Sequence, residues 1–489
     1  MHTFIFDIGK TNLKCHVLDG HGTSLWSASQ ANEVIDADPY PHFAIEDIWQ
    51  WLQQALKSAA EQYLITAINI STHGACAVLL DTNGQLVLPV LDYEYQALDE
   101  STDHYDKVRP DFATSYSPRL PAGLNLGRQL WWLKHHYPQA FSATSQLLLY
   151  PQFWAWKLSG IMAIERTSLG CHTDLWLPAE NNYSSLIDDL ELRHALPALA
   201  NNDDAIGTIL AEVAATTGLP EKCQIYAGVH DSNASLASHL YGRAFCENTG
   251  NDKNQTFAIV SAGTWVITMA MGANPANLIE ARDMLANVNV YGEAVCCARF
   301  MGGREFEQIC QLTGAAATDP VDTSDIEQLI AEQMYALPSF VAGCGPYPTH
   351  KGELYCALTQ ASGQAKHITN GKALATLYTA LMIDTQLDLL TVTGDIIFGS
   401  TSKKNPLICQ LLAQLRPHQR ILMSGDEAST VKGCWSLTRK SQNSNQTNTQ
   451  PLGNAPNCSY EIAVPCNIAE LSSYRAIWHN LIEQTKATP

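Results

Sequence analysis

An α/β fold in two halves is predicted by three observations. Strand-like runs end on glycine and pass into helical periodicity, as in GDIIFGS before a helix from Pro406 and RILMSG before DEASTVKGCWSL. A strand, glycine and hydroxyl pattern read as a hairpin occurs in each half, at Gly9 and at Gly263. A polar tract, RAFCENTGNDKNQ (243–255), separates the halves, so domains are expected at 1–242 and 256–489. At roughly 150 residues per domain, 489 residues allow two or three units. The paired hairpins favour two.

In chain order, HTFIFDI and LKCHVLD flank GKTN as a hairpin closed by Gly20-His21-Gly22. In IEDIWQWLQQALKSAAEQY, Ile48, Leu52, Ala55, Leu56 and Ala59 recur at helical spacing, with Glu46 and Asp47 in the first turn where the helix dipole favours them. A buried strand, Thr66 to Ser71, runs into Thr72-His73-Gly74, and CAVLLD and QLVLPV flank Asn83-Gly84 as a second hairpin. Residues 125–200 are richer in helix and aromatics, in GRQLWWLKHHYP and QLLLYPQFWAWKLSG. QIYAGVH is strand-like and reaches Asp231, where Asp231 or Ser232 caps the helix DSNASLASHLYG. The second half opens with TFAIVSAG and Thr264-Trp265, and Pro406 suits a first helical turn because its missing N–H is not needed there. The tract 439–457 is low-complexity and polar, and is expected to be a mobile surface loop without chemistry.

Composition removes several function classes. Lys and Arg total 29 against 48 Asp and Glu, a net charge of −19, with 46% of residues apolar and 16% charged. That is a globular composition. The acidic balance argues against nucleic-acid and anionic-lipid partners, which need clustered cations. No apolar run reaches about 18 residues, so no membrane span is expected. The start, MHTFIFDIGK, lacks the basic and apolar stretches of a secretory signal, and a cytoplasmic location is expected. The 14 cysteines form no CxxC pair, so neither a zinc site nor a disulfide framework is expected, only buried reduced thiols.

Four clusters carry possible chemistry. Asp7 ends the first strand and DIGKTNLK continues from it, so backbone N–H groups after Gly9 can cradle an anion while Lys10, Thr11 and Lys14 supply charge and a hydroxyl. A carboxylate beside a phosphate needs a cation between them, which makes Asp7 a candidate Mg²⁺ ligand, directly or through water. The alternative is an Asp that caps a turn. GxxxxGK[ST] is absent, so this is not a Walker A loop. SAGTW (Ser261 to Trp265) repeats the strand, glycine and hydroxyl pattern. In AGVHDSNAS, Asp231 follows a strand and a glycine, where an exposed carboxylate can take a proton from a substrate hydroxyl. In IIFGSTSKKN, followed by SGDEAS, Gly399 lets a flat base approach and Asn405 can hydrogen-bond its edge.

The order of these clusters resembles the FGGY carbohydrate kinases of the actin/hexokinase/Hsp70-like ATPase superfamily. The resemblance runs from Asp7 to about Ser436 and takes in STHGACAVLLDTNGQLVLPV and LNLGRQLWWLKHHYPQAF. It implies two ribonuclease H-like (actin-like ATPase) domains with a cleft between them, sugar on the N-terminal side and nucleotide mainly on the C-terminal side. GVHDSNAS with SAGTWVITM is similar to the L-fuculokinase and rhamnulokinase branch, which implies ATP-dependent phosphorylation of a 6-deoxy-ketohexose. By the same resemblance Asp231 falls on the catalytic base, Asp7 and Asp231 on the Mg²⁺ site, and Gly9, Lys10, Thr11, Asn12 and Lys14 on the first phosphate loop. Gly263 and Thr264 fall on the second loop, Gly399 and Asn405 on the adenosine region, and His73, Tyr93 and His230 among the sugar contacts.

Four departures stand out: Lys10 where a small residue or Thr is usual, LDYEYQ (Leu91 to Gln96) without Trp-x-Asp-x-Arg, Ser400 for a glycine, and PSFVAGCGPYP without Gly-Glu-Arg-x-Pro character. They leave open a xylulose or ribulose kinase, a nucleotide hydrolase of the superfamily, and a catalytically silent sugar- or nucleotide-binding regulator. A homodimer is compatible with the sequence, which does not itself report oligomeric state.

Overall fold

The computed structural model describes residues 2–245, 256–358, 361–362, 370–399, 403–425, 429–440 and 460–485. Ser400, most of the 243–255 and 439–457 tracts, and Asp426, Glu427 and Ala428 of SGDEAS lie outside the described residues.

The first strand, β1 (His2–Ile8), is apolar on both faces because both are covered. Phe4, Phe6 and Ile8 pack on one side and Ile5 on the other. It pairs antiparallel with β2 (Asn12–Leu18), which pairs antiparallel with β3 (Ser24–Ala31). On its other edge it runs parallel to β4 (Ile65–Thr72). Beyond lie β5 (Ala205–Thr208), β6 (Gln224–Tyr226) and β7 (Val229–His230), in the order β5-β6-β4-β1-β2-β3, with β7 continuing along β4 past the end of β6.

The amphipathic helix α1 (Ile45–Ala60) buries Ile48, Leu52, Ala55, Leu56 and Ala59, the residues that recur at helical spacing in the sequence. It shares a core with α3 (Tyr150–Ser159), while α2 (Leu126–His136) packs in a neighbouring cluster through Leu126, Leu130 and Leu133. On the opposite face of the sheet, α4 (Asp231–Phe245) meets a helix from late in the chain, α8 (Ser429–Lys440). They approach closely because position 433 is glycine: a Cβ there would lie 1.7 Å from the Ala234 carbonyl oxygen.

One expected ladder forms differently. The Asn83-Gly84 turn closes, with Gly84 at φ +74° and the Gly84 N–H donated to the Asp81 carbonyl at 3.1 Å. However, Ala77–Leu80 pairs along its length with Gln146–Leu149, and QLVLPV contributes one isolated bridge at Leu86. The hairpin side stays short: Asp81 N–H donates to the Gln85 carbonyl and Val87 N–H to the Leu79 carbonyl, each at 2.9 Å, and Pro89 has no N–H to extend the ladder.

The second sheet runs β10-β9-β8-β11-β12-β13, from β8 (Phe257–Ala262), β9 (Val266–Met271), β10 (Ala294–Phe300), β11 (Ile396–Phe398), β12 (Ile421–Ser424) and β13 (Tyr460–Ile462), with Met284–Val288 as a further edge strand beside β10. Its helices include α5 (Gly302–Thr313), α6 (Gly371–Leu389), α7 (Leu407–Leu415) and α9 (Leu471–Gln484). Nearly every residue of α6 is buried, as expected of a helix apolar on all sides.

The chain forms two compact units. The first comprises Met1–Gly250, Ala286–Ala294 and Ala428–Asn457, and the second Asn251–Leu285, Val295–Glu427 and Cys458–Pro489. Among the described residues no helix is long and apolar enough to cross a membrane. The twelve described cysteines are all free thiols, ten of them buried.

Candidate active site

In the first unit, the register of β1, β4 and β7 brings distant residues to one sheet end. Asp7 lies opposite Ser71 and Ile8 opposite Thr72, while His230 lies opposite Thr72 from the other side. Asp7 and Asp231 therefore leave the strands flanking β4 at the carboxyl end of its parallel ladder, where ligands bind in α/β sheets. Burial, and then the charge of Asp231, push the Asp7 carboxyl up to about 7, with Lys14 opposing. Lys14 pairs across from Asp7 and is exposed.

Asp231 is the first residue of α4, and its side chain is 35% exposed. Its Oδ1 accepts from the Ser232 backbone N–H at 2.5 Å, the Ser232 hydroxyl at 3.2 Å and His230 Nε2 at 3.2 Å. Those donors all engage Oδ1, and among the described residues none engages Oδ2. The Asn233 amide donates to His230 Nδ1 at 3.2 Å, which assigns the ring proton to Nε2.

The His230 backbone N–H donates to the Thr167 hydroxyl at 3.1 Å. Thr167 is held in turn by Glu165, whose fully buried carboxylate accepts from the Thr167 N–H at 2.5 Å, the Ser168 N–H at 2.8 Å and the Asn202 amide at 2.8 Å. Sequence reasoning missed this support, since Glu165, Thr167 and Asn202 reach His230 only through tertiary folding. The one local sign is an acidic residue capping the short helix Arg166–Leu169. Gly74 packs closely beneath it: a Cβ there would lie 3.1 Å from His230 Nε2 and 3.2 Å from Cys171 Sγ, so the ring or the thiol would have to shift by a few tenths of an ångström.

The first loop is internally braced. Gly9 N–H donates to the Asn12 carbonyl at 2.9 Å, the Asn32 amide donates to the Gly9 carbonyl at 2.8 Å, and the Asn12 amide donates to the Thr11 hydroxyl at 3.0 Å. Thr11 and Asn12 are exposed. Lys10 takes a different course: its ammonium contacts the Asp92 carboxylate, lies 3.6 Å from that of Glu94, and sits 5.0 Å and 4.9 Å from the ring centroids of Phe43 and Tyr93. Beside it, the His73 ring packs on Phe43, Tyr93 and Tyr150 at 5.2, 5.4 and 5.3 Å. His73 Nδ1 donates to the Gly74 carbonyl at 2.9 Å, and burial lowers the imidazole's pKa, so Nε2 is a buried acceptor. Nε2 has no hydrogen-bond partner among the described residues. The first unit thus gathers Asp7, Lys10, His73, Tyr93, His230 and Asp231, and adds Phe43, Asp92 and Glu94, which sequence reasoning had not singled out.

The remaining predicted residues belong to the second unit. Gly263 and Thr264 form the β8–β9 turn and are exposed, with Gly263 N–H donated to the Trp265 carbonyl at 2.9 Å. The start of α5 braces this turn: Gly303 N–H donates to the Thr264 carbonyl at 3.2 Å, and a Cβ on Gly303 would lie 2.6 Å from the Gly263 carbonyl oxygen. Gly399 follows β11 and donates its N–H to the Val260 carbonyl at 3.2 Å. Among the described residues, a Cβ on Gly399 would meet nothing nearer than that carbonyl oxygen, at 4.0 Å. The Asn405 amide donates to the Thr376 hydroxyl at 2.8 Å, and its Oδ1 is a buried acceptor without a partner among the described residues.

Residues 2–238 match the N-terminal domain of the FGGY family of carbohydrate kinases, and residues 254–447 match the carbohydrate kinase FGGY C-terminal domain. An L-fuculokinase from Salmonella typhi is 22% identical over 275 residues, covering 54% of this chain and 55% of its own. An L-xylulose/3-keto-L-gulonate kinase from Escherichia coli is 24% identical over 313 residues, covering 60% and 58%. The chain thus spans a little over half the length of these curated relatives. A solved carbohydrate kinase from Novosphingobium aromaticivorans is 30% identical, with a TM-score of 0.84 over 98% of this chain and 100% of that one.

Proposed function

Because the chain belongs to the FGGY family of carbohydrate kinases, we propose that it transfers the γ-phosphoryl group of ATP to a hydroxyl of a ketose. L-Fuculose and L-rhamnulose are the first choices and the pentuloses xylulose and ribulose the next. The observation that carries this reading is the one-sided hydrogen bonding of Asp231. A carboxylate held through Oδ1 presents Oδ2 in a fixed direction, as needed to accept a hydroxyl proton while that oxygen attacks phosphorus. Little else is asked of the protein in phosphoryl transfer beyond positioning and neutralising charge.

His73, with its unpaired acceptor Nε2, and Tyr93 contribute to sugar binding, and His230 acts by orienting Asp231. Gly9, Thr11, Asn12 and Lys14 in the first unit and Gly263 and Thr264 in the second bind phosphates. Gly399 and Asn405 bind the adenosine, Asn405 through its buried, unpartnered Oδ1. The residues fit Mg²⁺: Asp7 is raised in pKa partly by Asp231, a repulsion that a cation relieves. Magnesium characteristically uses one or two carboxylates and completes its shell with water and phosphate. Asp7 and Asp231 would hold it, and it would offset charge on the phosphoryl oxygens.

The test is ADP formation over a panel of ketoses, with Asp231→Ala as control. The variant is expected to lose about 10²–10⁴ in kcat, with the KM for ATP little changed. An unaltered turnover rate overturns the assignment of the base, and ADP release that needs no sugar overturns the kinase reading.

A further inference from the structure

We propose that Lys10 belongs to the sugar pocket and not to the phosphate loop, where it forms with Asp92 an ion-paired clamp for hydroxyls of an uncharged ketose that selects against sugar acids. This deepens the kinase reading and rests on it for the class of ligand.

The first ground is where the lysine goes. Its side chain is only 18% exposed, with the ammonium against Asp92 and beside the faces of Phe43 and Tyr93. The cation is thereby drawn into the aromatic cluster that includes His73. A lysine serving phosphate acts as a mobile point charge on a flexible stem. Here the stem is packed and the head is anchored.

The second ground is what the cluster offers. A Lys ammonium has three donors, and an ionised carboxylate accepts through both oxygens. Asp92 is fixed by its backbone N–H to the Pro41 carbonyl at 2.9 Å, and its carboxylate accepts from the Glu94 N–H at 3.2 Å. Lys10 and Asp92 together present donor and acceptor side by side, which matches neighbouring hydroxyls. His73, 7% exposed, adds the buried acceptor Nε2. The half-buried Tyr93 ring suits the C–H surface of a sugar, while Phe43 is buried and backs the lysine.

The third ground is charge. Lys10 is one cation facing the two carboxylates of Asp92 and Glu94, so the cluster is net negative before Asp7 and Asp231 are counted. A ligand carboxylate would compete with Asp92 for an ammonium already paired and would meet a carboxylate beside it. A hydroxyl accepts and donates and meets neither difficulty.

The experiment measures calorimetric binding, without turnover, of L-fuculose, L-rhamnulose, L-xylulose and 3-keto-L-gulonate, and separately of MgATP. The wild-type protein is expected to bind a neutral ketose in preference to the acid. Lys10→Met should weaken that ketose about 10- to 100-fold, the effect of losing a charged hydrogen bond, and leave MgATP within about twofold. Asp92→Asn should leave the ammonium only the exposed carboxylate of Glu94, 3.6 Å away, and shift the acid-to-ketose affinity ratio towards the acid by about tenfold or more.

The double variant Lys10→Met/Asp92→Asn leaves neither partner of the pair charged, so it should melt like the wild type and still lose ketose affinity, separating recognition from misfolding. The proposal is overturned if Lys10→Met weakens MgATP and spares the ketose, if the wild type prefers the acid or binds no neutral ketose, or if Asp92→Asn leaves the ratio unchanged. A protein that binds the ketose through Lys10 yet phosphorylates none defeats the kinase reading while the clamp stands.

Discussion

The two sheets are built on one plan and finished differently. In each, a first strand pairs antiparallel with the second and the second with a third, while the first strand's other edge carries two parallel strands and then an antiparallel one. Both opening hairpins also brace their turns alike, Gly9 donating to Asn12 and Gly263 to Trp265, each at 2.9 Å. At the position two residues before that glycine, the first unit has Asp7 and the second has Ser261. Where the first unit sends a chain past β4 into Asp231, the second places glycines, Gly399 and Gly425, after its parallel strands. The same scaffold therefore presents carboxylates in one unit and bare backbone in the other. Carboxylates suit a metal and a hydroxyl proton, whereas bare backbone suits a flat or anionic ligand at close approach.

The largest effect should come from exchanging that chemistry at equivalent positions. Asp7→Asn is expected to lower kcat/KM for MgATP by about 10²-fold or more, the scale of removing one electrostatic contact to the reacting group. Ser261→Ala, at an exposed position, should stay within about twofold. Equal losses in steady-state assays at varied Mg²⁺ would erase the distinction between the units. Chelation of divalent metal should weaken ATP binding for the same reason, and metal-independent affinity would count against Asp7.

The braces beneath the turns come next. A methyl on Gly303 meets the backbone carbonyl of Gly263 at 2.6 Å, and main chain cannot swing aside as a side chain does. Gly303→Ala should cost about 1–3 kcal/mol of stability and raise the KM for ATP. A methyl on Gly9 meets its nearest atom, the Asn12 carbonyl oxygen, at 3.1 Å, and Gly9→Ala should cost less. Urea melts and ATP titrations of the pair check the order, and a reversal would mean that the second turn is the more pliant.

Much of this was legible in the sequence because it rests on local signals. The α1 face, both Gly hairpins and the strand into Asp231 follow from periodicity and turn chemistry acting within a few residues. The positions of Asp7 and Asp231 relative to each other were not local, and only the register of β1 and β7 on β4 shows that they share a sheet end. Lys10 shows the limit most clearly. Its place beside Gly9 suggests phosphate, yet its partner Asp92 lies in the tract LDYEYQ, which stands out in the sequence only for what it lacks. The direction a long side chain takes depends on which acceptor tertiary folding brings near, and no local rule supplies that. The hairpin expected at Asn83-Gly84 formed only as a short bridge at Leu86, whereas the longer ladder of Ala77–Leu80, with the distant strand Gln146–Leu149, had no local signal.

The smallest effect, and the finest comparison, concerns the two fully buried glutamates, Glu165 in the first unit and Glu305 in the second. Glu165 accepts from two backbone N–H groups, which cannot reverse their role, and from the Asn202 amide. Glu305 accepts from the Tyr378 hydroxyl at 2.5 Å, the Ser339 hydroxyl at 3.1 Å and the Val341 N–H at 3.2 Å, and a hydroxyl can turn to accept instead. Glu165→Gln sets an amide against an N–H and should cost about 1–3 kcal/mol, whereas Glu305→Gln should cost less. Glu305→Gln should also change how stability follows pH. Burial raises the Glu305 pKa above its ordinary value by more than its hydrogen bonds lower it. The folded protein then keeps that proton to higher pH than the unfolded chain, so its contribution to stability is largest below the usual carboxylate range. It is lost as pH rises through the folded pKa. Glu305→Gln removes this dependence, so its stability relative to wild type should improve as pH rises from about 4.5. Unfolding free energies from urea melts between about pH 4 and pH 8 would show that rising difference. A difference that stayed flat or fell with pH would mean that the hydrogen bonds around Glu305 outweigh its burial, and that the second unit holds its buried acid as firmly ionised as a site built to bind charge.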